Sequence, residues 1–141
     1  MQNVTHLIEN KQAGVTSVAP EAPVLEAIRL MAEHQIGSVL VMRGAMLVGI
    51  VSERDYARNV ALRGRSSATT AVSEIMSEPV TVGPHETVNQ CMQLMTERRI
   101  RHIPVVEGGR VVGLVSIGDL VKAVIEAQQH EIAQLHQYIA S

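Results

Sequence analysis

The chain has 141 residues, of which 46% are hydrophobic, and this is enough for one compact domain with a sizeable core. Tyr56 and Tyr138 are the only aromatic residues, so the core must be built from aliphatic side chains. The net charge of −2 and the scarcity of aromatic rings argue against nucleic acid or an anionic membrane as a partner, and the single cysteine, Cys91, excludes an internal disulfide.

The predicted elements begin with an apolar piece at 4–8 and a short extended segment at 15–18. A helix follows, with apolar residues at helical spacing from Val24 to Ala32. Two β-rich runs, 38–42 and 47–51, flank a turn at Arg43-Gly44 and predict a hairpin. A second helix begins at Ser52, so the unit is β-α-β-β-α.

The same order of elements recurs in the second half of the chain. A shift of 64 residues aligns residues 17–60 with 81–124 without a gap, and fifteen of the 44 aligned positions are identical. One unit alone buries little apolar area, so we expect two units packed face to face around one shared core. Pro104 predicts an edge position or a strand start for its segment, because proline lacks an N–H group.

We therefore predict a mixed α/β (α+β) fold, in which tandem β-α-β-β-α repeats form a pseudo-twofold pair with a C-terminal helical extension. The expected divisions are repeat 1 at 4–62, a linker at 63–71, repeat 2 at 72–126 and a C-terminal helix at 127–141.

Each second helix opens on a corner motif of Gly, two aliphatic residues, Ser, two variable residues and Asp, at 49–55 and 113–119. Ser-x-x-Asp before an apolar run matches a capping box, except that Asp replaces the longer Glu or Gln. Capping is the default interpretation of the motif alone. A helix N-terminus also suits phosphate, and a carboxylate there can accept hydrogen bonds from ribose hydroxyls. The motif by itself leaves both roles open.

The repeat and the corner motif resemble the paired cystathionine-β-synthase-type (CBS) domain family over residues 4–126, with the closer match in copy two at 95–105 and 116–120. The resemblance implies a stand-alone Bateman module of the small bacterial signal-transduction type. Such a module would bind AMP, ATP or NAD(H), with S-adenosylmethionine ranked below them, in clefts between the repeats.

The resemblance also implies roles for individual residues. Asp55 and Asp119 would hold ribose hydroxyls, and Ser52 and Ser116 would contact ribose or phosphate. The adenine pocket would be lined by Ser17, Ser38, Val39, Thr81, His102, Ile103 and Pro104. Phosphate would meet Arg54, Arg58, Arg101 and Lys122. Copy one has Gly37, Ser38 and Leu40 where copy two has Arg101, His102 and Pro104, so we expect two clefts that are not equivalent.

Three functions remain open: a nucleotide sensor that reports to a regulated protein in trans, a ligand-independent interaction scaffold, and a small NAD-using enzyme. The chain has no nucleophile elbow, Walker loop or GxGxxG fingerprint, and its six histidines form no metal-binding pattern. We therefore predict a sensor with no catalytic residues, catalytic cofactor or metal.

Apolar residues continue at helical spacing beyond copy two, and the later steps of three and four residues form an incipient heptad. This stripe packs either on the chain's own body or on a second copy, and we favour a homodimer. The first residues lack the features of a signal peptide and no apolar stretch could span a bilayer, so we expect a cytoplasmic protein without a membrane partner.

Overall fold

The computed structural model describes residues 3–9 and 16–140. The helices are α1 (Val4–Glu9), α2 (Val24–His34), α3 (Glu53–Tyr56), α4 (Val88–Arg98) and α5 (Ile117–Ala140). The strands are β1 (Ser17–Val18), β2 (Ser38–Arg43), β3 (Met46–Ser52), β4 (His102–Glu107) and β5 (Arg110–Ser116). A π-helical turn, Ala57–Ala61, extends α3, and a 3-10 turn covers Val72–Glu74. The predicted mixed α/β fold is confirmed; Val15 and Ser141, which the predictions included, lie outside the described residues.

The two hairpins repeat one another residue for residue. β2 pairs antiparallel with β3 from Ser38 opposite Ser52, and β4 pairs with β5 from His102 opposite Ser116. Every pair in the second hairpin lies 64 residues after its counterpart, and a bulge interrupts the ladder at the same place in both. The sequence repeat is therefore a structural repeat with one register.

Pro104 makes the two sheets unequal. In the first repeat the Leu40 amide donates to the Thr16 carbonyl, and β1 pairs with β2 to give a three-stranded sheet. Pro104 stands in the same column as Leu40 and has no amide hydrogen to donate. Only a single bridge, Val82 to Val105, forms there, so β4 is the edge of a two-stranded sheet, in keeping with the edge position predicted for Pro104.

The apolar segment before each repeat packs on the other repeat. The Val4 amide donates to the Glu86 carbonyl at 3.0 Å, and the Val72 amide donates to the Ala22 carbonyl at 2.8 Å. These two bonds are equivalent, since 22 and 86 differ by the repeat length of 64. The exchange relates the two repeats by an approximate twofold.

The prediction of one shared core is wrong, because the buried aliphatic residues form two clusters. Val72 and Ile75 complete the cluster around β2, β3 and α2, whereas Val4 completes the cluster around β4, β5 and α4. Each repeat builds its own core, and the segment that precedes its partner repeat closes that core. The exchanged segments thus join the repeats without a common interior.

Both first helices begin in the same column but are capped differently. Thr87 is the N-cap of α4 and forms a capping box with Gln90. Pro23 occupies the equivalent N-cap of α2, one residue before the first-turn position expected for it, and its side chain cannot cap. The linker replaces that side chain: the Val24 amide donates to the Thr70 carbonyl at 2.8 Å, and Leu25 donates to Ser67 at 3.0 Å.

Cys91 lies in the second cluster with no exposed surface, as a small buried hydrophobic residue should. Burial, with a smaller contribution from Glu86, raises the pKa of its thiol from 9.0 to about 11. In the unfolded chain the thiol ionises near pH 9, so stability is lost as the pH rises from 9 toward 11.

We expect the native thiol to react with a disulfide reagent at pH 8 at least ~100-fold more slowly than the denatured thiol, because so little thiolate forms. Reaction in concentrated guanidinium chloride is the control, and it should release one equivalent per chain. Equal rates in the native and denatured states would show that Cys91 is not buried in solution.

Candidate functional site

A cleft of about 420 Å³ lies where the two repeats meet. The first repeat contributes the start of β2, the end of β3 and the corner leading into α3. The second contributes the segment 77–80 and the turn between α4 and β4. The lining residues are Gly37, Ser38, Ile50, Ser52, Glu53, Arg54, Asp55, Arg58, Ser77, Glu78, Val80, Arg99, Ile100, Arg101 and His102.

Asp55 is held in place by three hydrogen bonds. Its Oδ2 accepts from the Ser52 amide at 2.9 Å and from the Ser52 hydroxyl at 3.1 Å. Its Oδ1 accepts from the Ser77 hydroxyl at 3.0 Å, and this bond joins the first repeat to the segment that opens the second. Because a carboxylate offers roughly four acceptor sites, Oδ1 retains capacity for a ligand hydroxyl.

Both corner motifs form capping boxes, as the structural interpretation predicted. The Asp55 amide donates to the Ser52 hydroxyl at 3.2 Å, and the Asp119 amide donates to the Ser116 hydroxyl at 3.1 Å. The Ser116 amide in turn donates to Asp119 Oδ2 at 2.8 Å. Capping is therefore common to both repeats, whereas among the described residues only the first corner lines the cleft at the repeat junction.

The hydroxyl of Ser38, which lines this cleft, lacks a hydrogen-bond partner among the described residues. The residue has no exposed surface. A buried hydroxyl left in this state costs about 1–3 kcal/mol. A buried polar atom of this kind beside a cleft calls for a specific explanation, such as a bound water, ion or ligand group.

Four arginines and three carboxylates line the cleft. Arg54 donates from Nη1 to the Arg99 carbonyl at 2.9 Å, which ties α3 of the first repeat to the end of α4 in the second. Arg99 adopts a left-handed conformation with φ of 55°, the same as Gln35 in the equivalent column. Guanidinium groups match the geometry of phosphate, so the part of the cleft that the arginines line suits an anion.

Seven of the residues predicted for the site meet in this cleft. They are Ser38, Ser52, Arg54, Asp55, Arg58, Arg101 and His102. The starts of β2 and β4 face each other there: a Cβ on Gly37 would lie 3.4 Å from His102 Cε1. Gly37 and Ser38 of the first repeat therefore line the same cleft as Arg101 and His102, the residues aligned with them in the second repeat.

The other predicted residues lie elsewhere. Val39 and Ile103 belong to the two cores, Pro104 is buried, and Ser17 is exposed on β1. Thr81 lines a shallow groove beside the hairpin turns, and Lys122 lies on an exposed face of α5. Ser116 and Asp119 form the second corner. The ligand contacts predicted for Ser116 and Asp119 stay predictions.

Sequence reasoning missed several lining residues, notably Ser77, Val80, Arg99 and Ile100. Ser77 reaches Asp55 because residue 77 bridges to Ile50 of β3, a long-range pairing that no local pattern reveals. Val80 lines the cleft where Thr81 was predicted, because neighbouring side chains of an extended segment point to opposite faces. The alternation of side chains along an extended segment was the signal that could have pointed to Val80 beside Thr81.

The chain is similar to known proteins along most of its length. The family model for the CBS domain matches the chain twice, at residues 11–62 and 72–126. The chain belongs to the CBS domain family. Its structural neighbours include small stand-alone CBS-domain signal-transduction proteins, so the resemblance stated from the motifs is confirmed.

Three related CBS proteins show the extent of the match. A structure from Burkholderia ambifaria MC40-6 is 47% identical, with a TM-score of 0.86 over 90% of this chain and 96% of that one. The mitochondrial CBSX3 of Arabidopsis thaliana is 43% identical over 82% of this chain, which spans 59% of that relative's length. A CBS domain protein from Pyrobaculum aerophilum, solved with AMP, is 27% identical, with a TM-score of 0.75 over 84% of this chain and 89% of that one.

Residues 3–9 and 16–140 contain neither a candidate metal centre nor a helix suited to crossing a membrane. No group of three or more His, Cys, Asp or Glu side chains there could hold a metal ion. No helix in the same ranges combines the length and the apolar character needed to cross a membrane; α5 is long, but its second half carries many polar residues.

Proposed function

We propose that the cleft binds an adenosine-containing nucleotide and that the chain acts as a regulatory module. The observation that carries the proposal is the buried, unpartnered Ser38 hydroxyl in a cleft that combines a ribose-type acceptor, apolar walls and arginines. The AMP bound to the Pyrobaculum relative supports the ligand class. A cleft of this volume lies in the usual range for small-molecule sites.

The cleft divides into three chemical regions. Asp55 Oδ1 accepts from a ribose hydroxyl, beside the Ser77 hydroxyl that it already binds. Ile50, Val80 and Ile100 offer apolar contact to the adenine ring. The arginines lie toward the phosphates, and charge-assisted hydrogen bonds there are about twice as strong as neutral ones.

The regulatory role follows from the position of the cleft between the repeats. Groups from both repeats line it, and the Arg54 bond to the Arg99 carbonyl crosses from one repeat to the other. A ligand that contacts both repeats favours whichever arrangement fits it better, by as much as its affinity differs between the two. We propose that this change is read by a separate protein in trans and that the chain itself catalyses no reaction.

Replacing Ser38 by alanine should separate binding from stability. The variant should be more stable than wild type by about 1 kcal/mol, because an unsatisfied buried hydroxyl is removed. Its affinity for the nucleotide should fall about 2–10-fold, the contribution of one neutral hydrogen bond. Calorimetric titration with AMP, ATP, NADH and S-adenosylmethionine, together with thermal melting, measures both effects.

Ser73→Ala is the matched control, since Ser73 is exposed and lies outside the cleft. It should change neither quantity. If wild type binds none of the four ligands, the nucleotide proposal fails and the ligand-independent scaffold takes its place. If a nucleotide binds but Ser38→Ala leaves its affinity unchanged, the ligand does not reach this hydroxyl.

A further inference from the structure

The final helix, α5, has two halves with different surroundings. It runs for 24 residues from Ile117 to Ala140. Its first half packs on the second repeat, where Leu120 and Ala123 are buried. Residues 127–140 are exposed throughout, and they extend about 21 Å at 1.5 Å per residue. The second half of the helix therefore leaves the body of the chain.

An apolar stripe nevertheless continues along the whole helix. Its members are Val121, Ile125, Ile132, Leu135 and Ile139, each between 42% and 78% exposed. Gln128 completes the spacing, which alternates between four and three residues without a break. Leu120 and Ala123 face the second repeat from another side of the helix, so the body of the chain does not cover the stripe.

This spacing is the heptad repeat of a coiled coil. Ile125, Ile132 and Ile139 occupy successive a positions, and Val121, Gln128 and Leu135 occupy successive d positions. A β-branched residue at a with leucine at d favours two parallel strands, and the last heptad has this pattern, with Ile132 and Ile139 at a and Leu135 at d. Gln128 places one polar layer in this stripe, between the layers of Ile125 and Ile132.

The polar residues beside the stripe favour the same orientation. Glu131 lies at g and His136 lies at e, five residues later. In a parallel pair, g of one helix meets the e position five residues on in the other, so Glu131 faces His136 of the second copy, an acid beside an imidazole. The symmetry repeats this contact on the other side. In an antiparallel pair, g positions face each other, and this contact is lost.

We propose that α5 pairs with α5 of a second copy as a parallel, two-stranded coiled coil over residues 121–139. The partner is a second copy because the stripe and its flanking pair complement themselves. The arrangement places two CBS pairs at the same end of one coiled coil. It is independent of whether the cleft binds a nucleotide.

Disulfide trapping tests the orientation. Gln128→Cys and Leu135→Cys, made separately, each place a thiol at a d position, where it faces its own copy in a parallel, in-register pair. Both should form covalent dimers on mild oxidation. Gln137→Cys on the opposite face should not, and neither should wild type, whose Cys91 is buried. An antiparallel pair would trap at most one of the two d positions and would overturn the proposal.

Sedimentation equilibrium tests the stripe itself. The full chain should sediment at twice its 15.3 kDa. Ile132→Glu should raise the dimer dissociation constant by about 100-fold or more, because each copy loses a buried aliphatic side chain. Gln137→Glu is the exposed control and should have no effect. A monomeric wild type, or a dimer that Ile132→Glu leaves intact, would show that another surface or another protein covers the helix.

Discussion

Asp55→Ala is expected to weaken nucleotide binding by about 10–150-fold, because a hydrogen bond to a charged group contributes about 1.5–3 kcal/mol. The variant loses the proposed acceptor for ribose and also the Oδ1 contact that positions Ser77. It also loses one side of the capping box, which should lower the free energy of unfolding by about 0.5–2 kcal/mol. Isothermal calorimetry with AMP and ATP, together with urea unfolding, measures the two effects.

Asp119→Ala is a close control, because the repeat supplies a second capping box with the same two hydrogen bonds donated by backbone amides. It should lose similar stability yet retain binding at the Asp55 cleft, which Asp119 does not line. The number of nucleotides bound per chain is also informative. If wild type binds two and Asp119→Ala binds one, the second nucleotide binds at the second corner. If both variants lose nucleotide binding at the Asp55 cleft equally, the broken capping box, and not a lost ligand contact, accounts for the effect.

Gly113→Ala is expected to destabilise the protein by about 1–3 kcal/mol, the usual result of overfilling a packed core. A Cβ on Gly113 would lie 2.8 Å from Cγ1 and 2.9 Å from Cγ2 of Ile8, in the segment that comes from before the first repeat. Isoleucine is branched at Cβ and has few rotamers with which to move aside. For a chain of this size, the loss corresponds to a fall in Tm of about 3–10 °C.

The equivalent change in the first repeat should have a smaller effect. A Cβ on Gly49 would lie 2.5 Å from Sδ of Met76, but methionine is flexible and can shift. Gly83→Ala provides the control, since nothing lies within 4 Å of a Cβ built there. Calorimetric melting should rank the variants in the order Gly83→Ala, Gly49→Ala and Gly113→Ala, from most to least stable. A harmless Gly113→Ala would show that Ile8 does not pack on β5 in solution.

Both sets of variants depend on the exchange of segments between repeats. Ser77 follows the segment that closes the first core, and the reciprocal hydrogen bonds between Ile50 and Ser77 hold it against β3. Through its hydroxyl it then reaches Asp55. The same packing that completes the first core therefore also builds one wall of the cleft, which links core stability with the geometry of the site.

The sequence alone determined the repeat, its element order and the corner motif, because each depends on local patterns. Hydrophobic spacing distinguishes a helix from a strand, a glycine turn joins two strands, and Ser-x-x-Asp starts a helix wherever it stands. These signals predicted both hairpins and both capping boxes. They could not predict that the two copies of one motif differ in their surroundings.

The tertiary structure decided which residues meet. It divided the interior into two cores, because the segment before each repeat packs on the other, and sequence order gives no sign of this exchange. It placed Val80 and Ser77 in the cleft wall, and the position of Ser77 follows from its long-range pairing with Ile50. It also left Ser38 buried beside Arg101 and His102, and a buried hydroxyl without a partner becomes visible only when all its neighbours are in place.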